Sequence, residues 1–478
     1  MNPKTGGGSA EGGGAPSAGG LRRVLGGWDA ALITIGAVIG TGIFITSADI
    51  ARVLPHGGLL LLVWAVGGLL TLAGALTYAE LGVLYPDAGG IYTFLKEAYG
   101  PLWGFLYGWA AFLVIMSGGI AALAVAFGVY LGSFLPFFSI DNVLLAVPLA
   151  APIGGGEWRF SGGQLAAVGA IVVLTAINVL GVREGARFQN VLTVVKVAAI
   201  AAFAGIGFVV PARATAAIAA PLPESGVLAA FGVGMIAALW TYDGWYGATF
   251  SAGEMRNPRR DLPLGLIAGT GIIMALYLGL NAVYLRALPL EAMAATPRIG
   301  ETAAAALFGS GAARLVSAAV VVSTFGCLSA TILYSPRIYL AMARDGLFFR
   351  SLATVHPRFR TPARSLWAQS AWAIVLTASG TYEQLYTYVV FAAVLFHVAT
   401  GAAVLTLRRK RPDAPRPYRV WGYPWVPALF IAASLALVAN TLWEKPVESL
   451  WGLGLVALGL PAYAWWRRGG AGAADGSQ

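Results

Sequence analysis

Long apolar runs recur along almost the whole chain, and short polar or charged segments separate them. A run of roughly 18 residues or more is long enough for a helix to cross the hydrocarbon core of a bilayer. The pattern therefore predicts an all-α membrane protein with twelve transmembrane helices. The predicted spans are residues 28–53, 59–84, 103–135, 163–182, 189–211, 226–252, 263–286, 313–342, 365–380, 383–407, 422–440 and 447–466.

The first run contains a segment, 36–44, with glycine at positions 36, 40 and 42. Glycine costs about 1 kcal/mol per residue in a helix relative to alanine, and a bilayer has no water to bond a freed backbone group. A break is tolerated where it lines a cavity, and here it would leave the amides of Gly40, Thr41 and Gly42 free to bind a carboxylate. Carbonyls across the break suit an ammonium, so the segment predicts a zwitterion site. Alternatively, the glycines only let a neighbouring helix pack closely.

The sixth run is interrupted in a similar way, by the polar, glycine-containing segment from Trp240 to Gly247. It lies five spans after the first break, and five is odd, so the second half would be inverted relative to the first. Paired broken helices in two inverted halves point to the central site of a transporter. We expect residues 28–211 and 226–407 to be a 5+5 inverted repeat, with residues 422–466 appended as helices 11 and 12.

Composition and charge agree with a membrane protein. Hydrophobic residues are 58% of the 478 residues and charged residues only 11%, against about 25% charged in an average soluble domain. The net charge of +10 does not indicate a nucleic-acid partner, because most lysines and arginines lie on one side of the predicted membrane. The positive-inside rule places both termini in the cytoplasm. We expect a multi-pass protein of the cell inner (plasma) membrane, in contact with the lipid bilayer.

The domain organisation follows from the same pattern. Residues 1–20 and 467–478 are predicted to be disordered cytoplasmic tails, and residues 21–466 to be a single transmembrane transporter domain. Cys327 is the one cysteine, so no intramolecular disulfide, metal cluster or other cofactor is expected. The three histidines, His56, His356 and His397, are scattered along the chain and do not predict a ligand cluster.

Four segments, taken in order, resemble the amino acid–polyamine–organocation superfamily of permeases, most closely the L-type amino acid transporter branch and its bacterial relatives. The resemblance runs from about Leu21 to Trp466. It implies a LeuT-type fold with broken helices 1 and 6, alternating access, and substrate binding by spans one and six. The four segments are GAVIGTGIF at 36–44, YAELG at 78–82, YDGW at 242–245 through GEMRNP at 253–258, and RRKRP at 408–412 through RPYR at 416–419.

The resemblance also implies which residues bind the substrate. The amides of Gly40, Thr41 and Gly42 would hold the carboxylate, while backbone carbonyls near the breaks would hold the ammonium. Trp240 would close over the substrate from outside; its alternative role is packing. Asp243 would cap the second half of span six or recognise a cationic side chain. The predicted substrate-binding residues are Gly36, Ala37, Gly40, Thr41, Gly42, Trp240, Asp243, Gly244, Thr324 and Cys327.

Lys196 is a charge in the middle of an apolar run, which by default is a functional residue. The resemblance implies that its ammonium replaces the sodium ion of related carriers, bonding carbonyls near Gly36 and a hydroxyl on span eight. Thr331 is the first candidate for that hydroxyl. The alternative is that Lys196 extends to an interface. Glu80 and Glu254, near cytoplasmic ends, are expected to join salt bridges of a gate.

The chain is therefore expected to be a secondary-active, sodium-independent transporter of L-amino acids, exchanging small neutral ones. A proton-coupled symporter and a carrier of cationic amino acids or polyamines remain alternatives. An enzyme is not expected, because polar groups at membrane depth are isolated, and a channel or receptor would not need paired breaks. Residues 136–162 lack the cysteine by which L-type carriers join a heavy chain, so no disulfide-linked heavy chain is expected.

Overall fold

The structure is a computed structural model, and it describes residues 23–86, 89–149, 156–211, 226–296, 298–379, 382–444 and 446–474. Most of them are helical, because the sequence offers long apolar runs whose backbone groups must bond within the segment. The helices are α1 Gly27–Val38, α2 Thr46–Val53, α3 Gly57–Leu84, α4 Ile91–Tyr99, α5 Pro101–Ala110, α6 Met116–Gly132, α7 Gly162–Leu180, α8 Val182–Val209, α9 Val227–Tyr242, α10 Pro258–Ala287, α11 Leu290–Ala295, α12 Ile299–Phe308, α13 Ser310–Tyr334, α14 Pro336–Arg344, α15 Ala363–Ser379, α16 Tyr382–Lys410, α17 Trp425–Glu444, α18 Pro446–Ala457 and α19 Gly459–Ala474.

Within the described residues, nine helical segments are long and apolar enough to cross a membrane. The other three predicted spans are divided or short: the first is split into α1 and α2, the ninth is α15 with 17 residues, and the twelfth is α18 followed by α19. The all-α membrane fold is thus confirmed, while the count of twelve stays a prediction.

The two broken helices lie where the sequence places them. A single turn of 3-10 helix, Gly42–Phe44, separates α1 from α2, and the 3-10 helix Gly247–Glu254 follows α9 after a turn. In the first half, α1 packs against α8; across the halves it packs against α10 and α13. The breaks therefore sit in the centre of the bundle, with unbroken helices around them, as expected for a LeuT-type fold.

A two-stranded antiparallel hairpin interrupts the helical architecture between α6 and α7. It consists of β1 Val143–Leu149 and β2 Gly156–Ser161, with Val147 opposite Trp158. The Trp158 indole donates a hydrogen bond of 2.7 Å to the carbonyl of Ala378 at the end of α15. This hairpin was not predicted, since the sequence analysis treated residues 136–162 as a connection only.

The predicted tails fall mostly outside the described residues. Residues 1–20 and 475–478 are not among the described residues. Helix α19 continues to Ala474, so residues 467–474, which were predicted to be disordered, are helical. The predicted division of the membrane domain into two repeats and an appended pair stays a prediction.

Candidate functional site

The first break exposes backbone donors. Helix α1 ends at Val38, and the chain resumes regular bonding only where Phe44 donates to the carbonyl of Thr41 at 2.9 Å. In the described part of the protein, the amides of Gly40, Thr41 and Gly42 have no acceptor. The Thr41 hydroxyl is also buried without a partner. Three amides and a hydroxyl are thus free to bind an anionic group.

The second break faces the first across a very short gap. Helix α9 ends at Tyr242, the amide of Asp243 donates to the carbonyl of Trp240 at 3.1 Å, and Gly244 has φ +94°. A Cβ atom on Gly244 would lie 2.9 Å from the carbonyl oxygen of Ala37. Glycine is therefore required here both by the left-handed backbone and by the close approach of the two breaks.

A cavity lies between the breaks and encloses about 530 Å³ of atom-free space, open solvent included. It contains nine of the twelve residues that the sequence singled out as binding or coupling residues. These are Ala37, Gly40, Thr41, Gly42, Trp240, Asp243, Gly244, Cys327 and Thr331. The remaining wall is formed mainly by apolar and aromatic side chains of α6, of the short π-helix Ala111–Ile115 that precedes it, and of α13, so the polar groups concentrate at the breaks.

Two predicted substrate-binding residues lie outside this cavity, which corrects their assignment. The carbonyl of Gly36 accepts a hydrogen bond from Lys196, and the Thr324 hydroxyl donates to the carbonyl of Val320 one turn earlier in α13, at 2.8 Å. Gly36 also follows the packing alternative, because a Cβ atom there would collide with Gln189 and Thr193 of α8. Its glycine serves helix contact, whereas those at 40 and 42 line the cavity.

Lys196 is buried against the first break, with 1% of its surface exposed. Its Nζ donates to the carbonyls of Gly36 at 2.7 Å and Ile39 at 2.6 Å. The alternative that it extends to an interface does not fit these contacts. The ammonium links α8 to the last turn of α1, as expected for a group that replaces a cation there.

The predicted hydroxyl partner of Lys196 on α13 is wrong. The Thr331 hydroxyl donates to the carbonyl of Cys327 in its own helix at 3.0 Å. The hydroxyl next to the lysine site is that of Ser323, which donates to the carbonyl of Ile39 at 3.2 Å. Eight residues separate Ser323 from Thr331, or about 12 Å along a helix. Ser323 therefore meets α1 at the level of Lys196, and Thr331 reaches the cavity instead.

Asp243 does not act as the predicted helix cap. Among the described residues, no backbone amide donates to its carboxylate; the Tyr246 hydroxyl lies 3.5 Å from Oδ2, and Nε2 of His397 lies 4.0 Å from Oδ1. The side chain points towards α16, because the extended backbone at Asp243, with ψ 154°, turns it away from the following amides. Sequence analysis missed His397 as a neighbour of this site.

Tyr277 of α10 is another residue that sequence analysis missed. Its hydroxyl lies 3.2 Å from the carbonyl oxygens of both Val38 and Thr241, so its single O–H donor is shared between the ends of α1 and α9. The sequence did offer a signal: Tyr277 and Asn281 lie four residues apart in an apolar run, and therefore on one face of a helix. Polar groups at membrane depth tend to have specific partners.

The two glutamates expected in gate salt bridges do form ion pairs at the predicted cytoplasmic side. Glu254 pairs with Arg337 at 2.9 Å, with 1% of each side chain exposed, and Glu80 pairs with Arg408 at 2.6 Å. Beside the first pair, the amides of Val24 and Leu25 donate to the carbonyl of Glu254 at 2.9 and 3.0 Å. The ion pairs are confirmed, while their role in gating stays a prediction.

Comparisons with known proteins find similarity to amino acid permeases and transporters over most of the chain. Residues 25–459 fit the model of a family described as amino acid permease. The serine/threonine exchanger SteT of Bacillus subtilis (strain 168) is 33% identical over 447 residues, which cover 93% of this chain and 97% of SteT. The large neutral amino acids transporter small subunit 2 of Homo sapiens is 30% identical over 452 residues, or 93% of this chain and 80% of that protein. The branched-chain amino acid permease BcaP of B. subtilis is 29% identical over 438 residues, 90% of each chain.

Proposed function

The chain belongs to the amino acid permease family, and from this premise we propose that it carries small neutral L-amino acids across the plasma membrane by sodium-independent exchange. It is a multi-pass membrane transporter and not an enzyme. Alternating access would expose the central cavity first to one side and then to the other. Both termini would lie in the cytoplasm.

The observation that carries the proposal is the free backbone at the first break. Gly40, Thr41 and Gly42 line the cavity, and their amides have no acceptor within the described ranges, so they can receive the carboxylate shared by all amino acids. The carbonyls of Ala37 and Trp240, beside the same cavity, can receive the ammonium. A site that binds through the main chain leaves the side chain of the substrate to be selected by the rest of the wall.

The wall opposite the breaks supports uncharged substrate side chains. It is lined by Ile115, Met116, Leu123 and Tyr334, and none of these side chains ordinarily carries a charge at neutral pH. The relatives include an exchanger named for serine and threonine and a permease named for branched-chain amino acids. We place this chain with the first, because it is 33% identical to that exchanger and 29% identical to the branched-chain permease.

Lys196 supports independence from sodium. Its ammonium already occupies the carbonyls of Gly36 and Ile39, which are the kind of oxygen ligands that would otherwise bind an alkali cation. A permanent substitute would couple the first break to α8 without consuming an ion gradient. The lysine could also release a proton in one state of the cycle, which keeps proton-coupled symport as an alternative.

A disulfide-linked heavy chain is not part of the proposal. Cys327, the one cysteine in the sequence, is buried in α13, and its thiol donates to the carbonyl of Ala37 at 2.8 Å. It therefore has no access to a cysteine of another protein. The expected partners are the amino acid and the lipid bilayer.

Counterflow in proteoliposomes tests the proposed function. Vesicles loaded with each of the twenty amino acids would be diluted into labelled L-serine, with sodium or choline outside and with or without a pH gradient. We expect uptake only into vesicles loaded with small neutral amino acids, unchanged by sodium. Uptake into empty vesicles driven by an inward pH gradient would instead show that the protein is a proton symporter and not an exchanger.

Asp243 favours a second candidate function, the carriage of cationic amino acids. Asp243 is one of the residues that line the cavity, and no lysine or arginine lines it among the described residues. A cationic substrate side chain would therefore find a counter-charge at membrane depth. Strong counterflow of L-lysine in the same panel would support this candidate.

A further inference from the structure

A second cavity lies beside the substrate cavity, and Asp243 lines both. It is enclosed by α3, α9, α16 and α17. Its polar side chains are Asp243, His397, Thr71 and Ser434, and the rest of its wall is apolar or aromatic. A change of charge in the second cavity thus acts directly on a residue that faces the substrate.

His397 is held so that one edge of its ring faces Asp243. Its Nδ1 lies 2.7 Å from the Tyr78 hydroxyl, and its Nε2 lies 4.0 Å from Oδ1 of Asp243. The rings of Tyr246 and Trp245 lie 4.9 and 5.6 Å from the imidazole, centroid to centroid. When the tyrosine donates to Nδ1, Nε2 carries the proton of the neutral ring; a second proton on the ring then creates a cation opposite the carboxylate.

The other groups around this pair do not change charge near neutral pH. The titratable side chains facing it are Tyr78 from α3, Tyr107 from α5, Tyr246 from the second break, and Tyr334 and Cys327 from α13. Tyrosine and cysteine ordinarily titrate near 10 and about 8.5, above the usual range of imidazole. From α17 the cavity receives Phe430 and Ser434, which are uncharged. The charge beside the substrate is therefore governed by Asp243 and His397.

We propose that His397 binds a proton next to Asp243 and thereby decides whether the substrate cavity accepts a neutral or a cationic amino acid side chain. The inference rests on the proposed function, which supplies the backbone site. With a neutral imidazole, the carboxylate leaves a net negative charge that attracts a cationic side chain. With a protonated imidazole, the two charges cancel, so a cationic side chain is no longer attracted and substrates with neutral side chains are favoured.

Competition measured against pH tests this role. Counterflow of labelled L-alanine would be inhibited by external L-lysine or L-serine between about pH 5.5 and 8, where neither competitor's side chain changes charge. The α-amino and carboxylate groups are common to both competitors, so their titration cancels in the ratio of the two apparent affinities. We expect the ratio of lysine to serine affinity to rise about tenfold across this range in the wild type.

Two variants should change the profile in different ways. His397→Gln should remove the pH dependence and fix the ratio at its high-pH value. Asp243→Asn removes the counter-charge whatever the state of the imidazole, so it should lower the ratio at every pH to the low-pH value of the wild type or below it. Ser434→Ala, which changes an uncharged group of the same second cavity, is the matched control and should keep the wild-type profile. For any variant that does not transport, stabilisation of the purified protein against heat by lysine and by serine gives the same ratio.

The outcomes separate the inference from the function on which it rests. A flat ratio in a wild type that exchanges alanine would overturn the inference and leave the proposed function standing. So would a His397→Gln protein that keeps the wild-type slope, or the absence of any inhibition by lysine at the highest pH. A folded wild type without counterflow of any amino acid would instead refute the proposed function itself.

Discussion

Replacing Gly42 by alanine should weaken substrate binding without unfolding the protein. A Cβ atom at this position would lie 2.7 Å from Oγ1 and 2.9 Å from Cγ2 of Thr241 on α9. Comfortable contacts between such atoms are about 3.5 Å or longer. The first break would thus have to move away from α9 by roughly half an ångström or more. The free amides that receive the carboxylate would move with it.

Thr241 cannot turn aside without a further loss. Its hydroxyl donates to the carbonyl of Ala237 at 3.1 Å and lies within hydrogen-bonding distance, 3.0 Å, of the hydroxyl of Thr46. Overpacking a site of this kind costs about 1–3 kcal/mol. At about 1.4 kcal/mol for each factor of ten, the apparent affinity for the substrate should fall roughly 5- to 150-fold.

The measurement is the concentration dependence of L-serine counterflow for Gly42→Ala beside Gly119→Ala. Gly119 lines the same cavity, but a Cβ atom there meets nothing within 4 Å, so it controls for adding a methyl group. Adding Thr241→Ala to Gly42→Ala should recover part of the affinity, since it removes the two closest atoms. Equal affinities for the two single variants, both well folded, would refute the reasoning.

Three further changes probe other contacts. Trp240→Ala should lower retention of the substrate and the rate of exchange, measured as efflux from loaded vesicles, if the aromatic ring closes the cavity as we expect. Lys196→Ala should slow exchange at least about tenfold while ground-state binding survives, since two buried carbonyls lose a donor at about 1–3 kcal/mol each. Arg337→Met should destabilise the protein by about 3–5 kcal/mol, because Glu254 is left buried and unpaired; thermal inactivation measures this loss.

Each of these predictions has a control variant or an outcome that would contradict it. Trp443→Ala removes a tryptophan that is 85% exposed, and an equal effect there would assign Trp240 to packing. Strict dependence of the wild type on sodium would contradict the role of Lys196. Arg159→Met breaks an ion pair whose arginine side chain is 65% exposed and should cost at most about 1 kcal/mol. If Arg337→Met lowers the stability by no more than Arg159→Met, the buried ion pair does not contribute to the stability of the helix bundle as we expect.

The sequence was most informative where a residue type conflicts with its surroundings. Glycines 40 and 42 and Lys196 stand out because a membrane helix tolerates neither unbonded backbone nor unpaired charge. The breaks therefore followed from the residues and their order along the chain, whereas the lysine contact with α1 followed from the resemblance to the permease superfamily. The presence of glycine alone could not show that Gly36 has a different role from Gly40 and Gly42. Gly36 leaves room for the side chain of Gln189, whereas the other two line the cavity.

Relative heights of neighbouring helices could not be predicted in this way. Helical spacing shows that Thr324, Cys327 and Thr331 share a face, but it does not say which turn of α13 meets α1. The neighbour of the lysine site therefore proved to be Ser323. His397 and Tyr277 were missed for a related reason: the groups they contact are distant in sequence, as with Tyr78 for His397 and Val38 for Tyr277.

The main-chain contact between residues 24–25 and 254–256 gives the transporter an internal reporter. The amides of Val24 and Leu25 donate to Glu254, and that of Arg256 donates to Leu25 at 2.8 Å. If this side opens during the cycle, these bonds must break, whatever the side chains are. Deuterium would then replace the three amide hydrogens at a rate set by the fraction of molecules that are open. Hydrogen exchange at these positions, with and without substrate, would measure the fraction of open molecules without attaching a probe to the protein.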